Sequence, residues 1–497
     1  MSQNIDRGEH RQDEEPQHTT AIEDRAVSRR EFMKLAGLAG AGLTMVGGLG
    51  GILAACGSAA TTTTTAATTA TTTATTATTG SVTTAATAGG TTTSAASSGT
   101  IDAASLKKML NIPDGAAAGQ GLTLNLGSAL PLSGGGAFYG EHQASGIKLA
   151  IPLIEAMGGP HFNVTFYDIQ MGVAQLGVDA IRKMASSDTH MALVGWCAAS
   201  GAEIAPAEQN KILLVDGGGG TSVGWQGKDF FWGTRAIPTV DSVRGTLLYV
   251  KQKLPDAKNV ALLTQSYGTQ IDTPIDETAK KNIEDLGFTH VGTVLVPLDA
   301  VEFSDAINKL KAMKPDIIFG LPLDGPAPVA FMKQYATSGM KAMVVGTDYT
   351  VDNAKLAGSA YENNYWYSGE EFLVDQPGSP WTKYFIDTYH QNYKGEPDAF
   401  VANFYEDTFL LWDLVRRVIA KGGDPKDGAA LQAELIANPT FMSVYGGTAD
   451  AVGTYSLDLK THSVASKTNY IFAIKDTMPD LLGYFQGPSG DSLKIIK

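Results

Sequence analysis

LTLNLGSALPLSGGGAFYGEHQASGIKLAIPLIEAMGGPHFNVTFYDI, residues 122–169, decides the fold class of this chain. The stretch opens on an apolar run to Pro131 that is typical of a buried strand, and a Ser-Gly-Gly-Gly loop follows. Residues 144–157 carry apolar side chains at helical spacing, and Gly158, Gly159 and Pro160 stop that helix. Residues 164–169 return to a strand pattern. A strand, a helix and a second strand in this order predict one unit of an α/β fold.

The same alternation continues through two blocks of similar size, residues 122–240 and 241–372. Apolar strands that alternate with helices of 10 to 15 residues predict parallel sheets covered on both faces. We therefore expect an α/β protein with two doubly wound lobes, a hinge and a ligand cleft between the lobes. The first lobe would take residues 122–240 and about 373–445, and the second would take residues 241–372 and about 446–497. Ligands of such sheets lie beyond the carboxyl ends of the strands.

The first 55 residues have the features of an export signal. Arg29 and Arg30 are followed by Glu-Phe-Met-Lys, which resembles the twin-arginine (Tat) motif, and residues 35–55 carry no charge. The segment ends in Leu-Ala-Ala-Cys at Cys56, which resembles a lipobox, where the cysteine is lipidated and the chain is cut before it. Residues 1–55 would then be absent from the mature protein. The alternative is one signal-anchor helix that merely contains Cys56.

Residues 56–101 predict a lipidated cysteine followed by a flexible tether. No charged residue occurs from Gly57 to Ile101, and residues 61–100 include 21 threonines. Such a composition cannot bury enough apolar surface to offset the entropy of ordering the chain. The tether could carry O-glycans, a point that the sequence leaves open.

Composition and charge exclude several classes of function. The net charge is −14 and no basic stripe occurs, so nucleic acid is not an expected partner. Cys56 and Cys197 are the two cysteines, and the eight histidines are scattered, so we expect no metal site and no cofactor.

Short motifs along the whole second part of the chain resemble one known family. They are Ala-Leu-Pro-Leu-Ser-Gly at 129–134, Phe-Tyr-Gly at 138–140, Trp-Gly-Thr-Arg at 232–235, Gln-Ser-Tyr-Gly at 265–268 and a helix that begins near Tyr405. Their order is similar to that of the branched-chain amino-acid binding proteins of ABC importers, which have the type I periplasmic-binding-protein fold. The resemblance implies two lobes joined by three crossovers, closure by hinge motion and no catalysis. It further implies a small-molecule ligand, ABC permease subunits as partners, a monomer, and anchoring by lipid to the outer face of the cytoplasmic membrane.

The resemblance also implies which residues of the first lobe touch the ligand. Gly218, Gly220 and Thr221 occupy the loop that holds the α-carboxylate in the family, and backbone N–H groups of such a loop suit an anion. Ser200 stands where the family uses a serine hydroxyl, and Ala198 would add a backbone contact. The alternative for the glycine run is a flexible surface loop.

Four second-lobe residues and one aromatic of the first lobe complete the expected site. Tyr267 matches the family's pocket tyrosine, and Asp348 falls where a carboxylate binds the ligand ammonium. An N-cap role for Asp348 is the alternative. Leu323 and Asp324 lie where the family has an aromatic residue, and this departure leaves the ligand side chain open. Tyr139 would form an apolar wall, together with Phe138 or Trp196.

Two other functions compete with ligand capture for transport. Residues 220–224, Gly-Thr-Ser-Val-Gly, fit a hydrolase motif with Ser222 as nucleophile, but no helix follows the serine as that chemistry requires. A ligand sensor for amides, urea-like solutes or aromatic acids, acting with a membrane partner, would use the same fold. We expect no enzyme activity.

Overall fold

The computed structural model describes most of the chain beyond the threonine-rich segment. It describes residues 101–497 except 196, 220–227, 236–241, 321–322, 324, 348, 350, 363, 371, 373–376, 466, 477 and 488. The expected leader, tether and lipidated Cys56 lie outside the described residues. No helix among the described residues is long and apolar enough to cross a membrane.

The first block alternates strands and helices as the sequence predicts. Its elements are α1 (Ala103–Met109), β1 (Thr123–Leu130), α2 (Ala137–Ala156), β2 (His161–Asp168), α3 (Ala174–Ser186), β3 (Met191–Val194), α4 (Cys197–Asn210), β4 (Leu213–Asp216) and β5 (Phe231–Gly233). Helix α2 begins at Ala137, seven residues before the expected start at Ala144. The missed turns contain Gly140, which packs directly on the backbone of Pro131 and has no side chain to show the helical period.

The second block repeats the pattern. Its elements are α5 (Val243–Lys253), β6 (Asn259–Gln265), α6 (Thr269–Asp285), β7 (Thr289–Val296), α7 (Ser304–Met313), β8 (Ile317–Gly320), α8 (Ala327–Thr337), β9 (Met343–Gly346), α9 (Val351–Ala357) and β10 (Tyr365–Gly369). The chain ends with α10 (Pro380–Asn392), α11 (Ala399–Ala420), α12 (Gly428–Ala437), β11 (Thr440–Thr448), β12 (Ala451–Asp458), β13 (Ser463–Val464), β14 (Thr468–Lys475), β15 (Met478–Gln486) and β16 (Lys494–Ile495).

The described strands form two sheets of eight strands each. One sheet runs β11-β12-β13-β5-β4-β3-β1-β2, and the other runs β16-β15-β14-β10-β9-β8-β6-β7. Within each sheet, the five strands of its block are parallel and are ordered 2-1-3-4-5, a doubly wound arrangement. The predicted α/β fold with two doubly wound lobes is therefore confirmed.

The sheets correct one lobe boundary. Strands β11, β12 and β13 belong to the first sheet, and β13 pairs with β5 at Ser463 and Gly233. The last return to the second lobe therefore occurs between Val464 and Thr468, and not near residue 446 as the sequence suggests. The sequence does not show this boundary because it depends on the pairing of β13 with β5, which lies far away in the chain.

Helix α11 is the centre of the first lobe's core. It packs along α2, and a Cβ on Gly146 would lie 2.3 Å from the carbonyl oxygen of Val401. Trp381 packs against Tyr405 and Phe409 of this helix, and the indole N–H of Trp381 donates to the hydroxyl of Tyr405. Because α11 is buried on nearly every face, each of its polar side chains needs a hydrogen-bond or ion-pair partner.

Candidate ligand-binding site

The two lobes touch at the carboxyl edges of their strands. Tyr139 and Phe400 of the first lobe share one buried apolar cluster with Tyr267 and Ile275 of the second lobe. The rings of Tyr139 and Phe400 meet edge to face, with centroids 5.0 Å apart. This edge is the place where an α/β sheet of this order binds ligands.

Asp216, the last residue of β4, organises the loop of the first lobe. Its side chain is fully buried. Oδ1 accepts the backbone N–H groups of Gly218 and Gly219 at 2.9 and 2.8 Å, and Oδ2 accepts the Ser200 hydroxyl at 3.1 Å. One carboxylate therefore brings together the glycine loop and the first turns of α4, which the sequence predicts to meet at the ligand.

Space beside this loop is taken up by other parts of the first lobe. A Cβ on Gly218 would lie 2.4 Å from Nε2 of Gln143 and 2.7 Å from the carbonyl oxygen of Gly195. The Gln143 amide itself donates to that carbonyl at 2.9 Å. Position 218 thus requires glycine because Gln143 and Gly195 lie so close to it, and any side chain would push the loop away.

Arg235 and Phe400 form a polar and aromatic corner next to the loop. The Arg235 guanidinium donates from Nη1 to the carbonyl oxygen of Gly218 at 2.7 Å, and its carbon lies 4.6 Å from the centroid of the Phe400 ring. Arg235 is half-buried. A planar guanidinium held against an aromatic face is suited to recognising a carboxylate.

Tyr267 is held in place from the second lobe. Its hydroxyl donates to Oε1 of Gln265 at 3.3 Å, and its backbone N–H donates to Asp272 at 2.8 Å. The next residue, Gly268, has φ of +99°, which lets the chain turn into α6. The tyrosine ring thereby reaches the interlobe apolar cluster.

A buried carboxyl lies behind the site. Glu203 of α4 is fully buried, and neither of its carboxyl oxygens has a hydrogen-bond partner among the described residues. Burial raises the pKa of Glu203 well above its ordinary value of 4.5, and the charge of Asp216 raises it further. The folded protein therefore favours the neutral form of this carboxyl.

A model of the periplasmic binding protein family matches residues 123–477 of the chain. The chain belongs to the periplasmic binding protein family. It is accordingly a solute-binding protein, and the family has no catalytic role. No sequence among the curated proteins matches this binding protein.

Solved structures similar to this binding protein share its fold at low identity. An amino-acid ABC transporter substrate-binding protein from Pseudomonas fluorescens Pf-5 is 18% identical, with a TM-score of 0.59 over 74% of this chain and 96% of that one. The branched-chain binding protein LivJ of Streptococcus pneumoniae, solved with isoleucine, is 20% identical, with a TM-score of 0.58 over 76% and 99%. An R. palustris solute-binding protein solved with benzoate is 18% identical, with a TM-score of 0.59 over 76% and 98%.

The structure brings some of the expected site residues of this binding protein together. Ser200 and Gly218 are joined through Asp216, and Tyr139 and Tyr267 share one cluster. Leu323 packs in the core of the second lobe. Ala198 lies in the first turn of α4. Gly220, Thr221, Asp324, Asp348, Trp196 and Ser222 are outside the described residues.

Three residues of the site are not evident from the sequence. The sequence pattern shows Asp216 only as the end of a strand and Phe400 only as part of a helix. Arg235 lies in a motif that the resemblance to the family does not assign to the ligand pocket. An acidic residue that ends a buried strand directly before a glycine run is the available signal for Asp216. The described residues contain no group of histidine, cysteine and acidic side chains that could hold a metal ion.

Proposed function

We propose that this binding protein captures an amino acid outside the cytoplasm and delivers it to an ABC importer. The observation that carries the proposal is the family match over residues 123–477, together with the meeting of the two lobes at their strand ends. Tyr139, Tyr267, Phe400 and the Gly218 loop would enclose a small ligand there. ABC permease subunits would receive it, and the protein would act as a monomer.

A screen of ligands tests this function. The purified protein is melted in the presence of each of the twenty amino acids, of urea and acetamide, and of benzoate and 4-hydroxybenzoate. A ligand at 100 times its dissociation constant adds about 2.7 kcal/mol of stability. Stabilisation by branched-chain or other amino acids supports the proposal. If no amino acid stabilises the protein and an amide or urea does, the ligand class is wrong.

Aromatic acids are the second candidate ligands, favoured by one observation. Arg235 lies on Phe400, whose ring meets the edge of Tyr139, so a guanidinium and two aromatic rings converge. A flat carboxylic acid could stack on such rings and pair with the guanidinium. Benzoate binding that is lost in Arg235→Lys would support this reading, because lysine keeps the charge and loses the planar fork.

The two candidate classes differ in one charge, the ligand ammonium. Asp348 would pair with that ammonium if the ligand is an amino acid. Asp348→Asn should then weaken binding by roughly 2–5 kcal/mol, because a buried ammonium loses its counter-ion. Tyr267→Ala should weaken binding of either class. Unchanged affinity in Asp348→Asn would point to an uncharged or acidic ligand.

We propose further that the chain is exported by the Tat route and anchored through a lipid on Cys56. The twin arginines, the uncharged stretch and the lipobox-like residues before Cys56 support this. Cys56→Ser should leave the protein unprocessed or release it from the membrane fraction. Arg29→Lys combined with Arg30→Lys should block export. An unmodified thiol on the mature protein would contradict the anchor.

A further inference from the structure

The described strands require the chain to pass between the two sheets at three crossovers, and a buried charge lies among the described residues of these crossovers. They follow β5, follow β10, and connect β13 to β14. Lys467 is in the third crossover, and its side chain is 2% exposed. A lysine so deeply buried requires partners that compensate the loss of hydration.

Lys467 has partners on the second crossover and on helix α11. Its Nζ lies 3.4 Å from Oε1 of Glu370, directly after β10, and 2.6 Å from Oε1 of Glu406. It also donates to Oδ1 of Asn403 at 2.9 Å, and it lies 4.9 Å from the centroid of the Tyr445 ring. The ammonium thus joins two crossovers to one stretch of α11.

The first crossover reaches the same stretch. The hydroxyl of Thr234, immediately after β5, donates to Oδ2 of Asp407 at 2.9 Å. Asp407 follows Glu406 in α11. All three crossovers are therefore tied to residues 403–407, on slightly more than one turn of a single helix.

Asn403 connects the crossovers to the ligand loop. Its Nδ2 donates to the carbonyl oxygen of Gly217 at 3.0 Å, while its Oδ1 accepts from Lys467 and from the Tyr445 hydroxyl. Gly217 stands between Asp216 and Gly218, the two residues whose bond sets the loop. One amide side chain thus contacts a crossover on one side and the loop on the other.

We propose that Asn403 and Lys467 are positioning residues that couple the crossovers to the ligand loop. In this arrangement, the positions of the crossovers and the conformation of the loop depend on each other, so that a change in one shifts the other. The consequence of the coupling, which is tighter ligand binding, rests on the proposed function. The coupling itself does not depend on that function. Apolar residues of similar size would fill the same space at a lower desolvation cost, so packing alone gives no reason for an ion cluster here.

Hydrogen exchange in the full-length, ligand-free protein tests the coupling directly. The amides of Gly218 and Gly219 donate to Asp216, so their exchange reports on the loop. The informative variant is Lys467→Met combined with Glu406→Gln, which removes the ammonium without leaving its nearest carboxylate charged. Among the described residues, Lys467 bonds Glu370, Asn403 and Glu406 and not the loop residues 217–219. We expect loop exchange at least about fivefold faster in the variant.

A matched control separates coupling from general loosening. Thr408→Ala removes a buried hydroxyl that bonds the Phe404 carbonyl within α11 and bonds no described residue of a crossover. It should leave loop exchange within about twofold of the parent. Equal acceleration in Thr408→Ala, or an unchanged loop in the lysine variant while the residues around 467 exchange faster, would overturn the proposal.

Asn403→Ala provides a second, milder variant should the lysine variant not fold. It keeps the Lys467–Glu406 pair and removes the link to Gly217, so the loop should exchange faster while the amides near Glu370 do not. No acceleration at the loop would overturn the coupling. Calorimetry with isoleucine and with benzoate then measures the consequence, and about tenfold weaker binding of whichever probe binds is expected in both variants. If neither probe binds the parent, isoleucine and benzoate are not its ligands, and the exchange data still decide the coupling.

Discussion

The ammonium of Lys467 lies 2.6 Å from a carboxylate oxygen of Glu406, and both side chains are almost fully shielded from water. Burial lowers the pKa of Lys467, but the carboxylates of Glu370, Glu406 and Asp407 outweigh burial and raise it above 10.5. The lysine is therefore charged at neutral pH. Its stabilising contribution is complete below about pH 10.5 and is lost only as the pH rises through the higher pKa of the folded protein.

Removing the ammonium should destabilise the fold strongly. Lys467→Met leaves Glu370 and Glu406 buried without their cation, and breaking a buried pair from one side costs about 3–5 kcal/mol. The free energy of unfolding from urea denaturation at pH 7 measures the loss. Lys467→Met combined with Glu406→Gln should recover a part of it. A single variant as stable as the parent would show that the carboxylates are already neutral there.

Glu203 should make the stability of the fold fall as the pH rises above the ordinary range of a carboxyl. Burial and the charge of Asp216 raise the pKa of Glu203 in the folded protein above the ordinary 4.5. The folded state therefore holds this proton more tightly than the unfolded state. The stabilising contribution is complete below about pH 4.5 and is lost as the pH rises through the folded pKa.

Glu203→Gln removes the loss of stability at high pH while keeping the shape of the side chain. The variant should be more stable than the parent at pH 8, and the difference should shrink as the pH falls toward 4.5. Thermal melts from pH 4 to pH 9 measure both profiles. Glu141→Gln, an exposed change on α2, serves as the control and should run parallel to the parent. Parallel profiles for Glu203→Gln would mean that Glu203 ionises normally.

The close crossing of α2 and α11 predicts a cost at Gly146. A Cβ there would lie 2.3 Å from the Val401 carbonyl oxygen and 2.8 Å from the Tyr405 nitrogen, and both are backbone atoms of α11. Gly146→Ala gains about 1 kcal/mol of helix propensity. Overpacking against two backbone atoms should reach the upper end of its usual cost of roughly 1–3 kcal/mol, which leaves the protein about 2 kcal/mol less stable. Urea denaturation measures this change in stability. A variant more stable than the parent would show that α2 and α11 can move apart to admit the methyl group.

Local patterns predict most of the fold. Apolar runs such as residues 259–265 and helix stops such as Gly158-Gly159-Pro160 depend on neighbouring residues, so one sequence shows them. The lobe assignment of β11 to β13 cannot be predicted in this way. It depends on β13 pairing with β5 through Ser463 and Gly233, residues far apart in the chain.

The candidate site is predictable where a loop follows a strand, and not where partners are distant in sequence. Ser200 and Gly218 are expected near each other, and Asp216 joins them. Lys467 has the sequence context of an ordinary loop lysine, because Asn403 and Glu370 lie 64 and 97 residues away. These three residues meet because the crossovers bring distant parts of the chain together, and no local sequence pattern predicts this contact.

Asp216 gives the sharpest test of the site, because two substitutions separate its hydrogen bonds from its charge. Asp216→Ala removes the acceptor of Ser200, Gly218 and Gly219 together. At about 1 kcal/mol for each bond, the loop should lose its order and the best ligand of the screen should bind at least about tenfold more weakly.

Asp216→Asn keeps Oδ1 for the two glycine amides, and its new amide can donate to the Ser200 hydroxyl, which accepts as well as donates. Affinity should therefore stay within about threefold of the parent in calorimetry, since each of the three bonds has a replacement. The lost negative charge should also bring the pKa of Glu203 closer to its ordinary value, because Asp216 is one cause of its rise. Equal losses of affinity in the alanine and asparagine variants would show that the charge of Asp216, and not its role as hydrogen-bond acceptor, holds the loop in place.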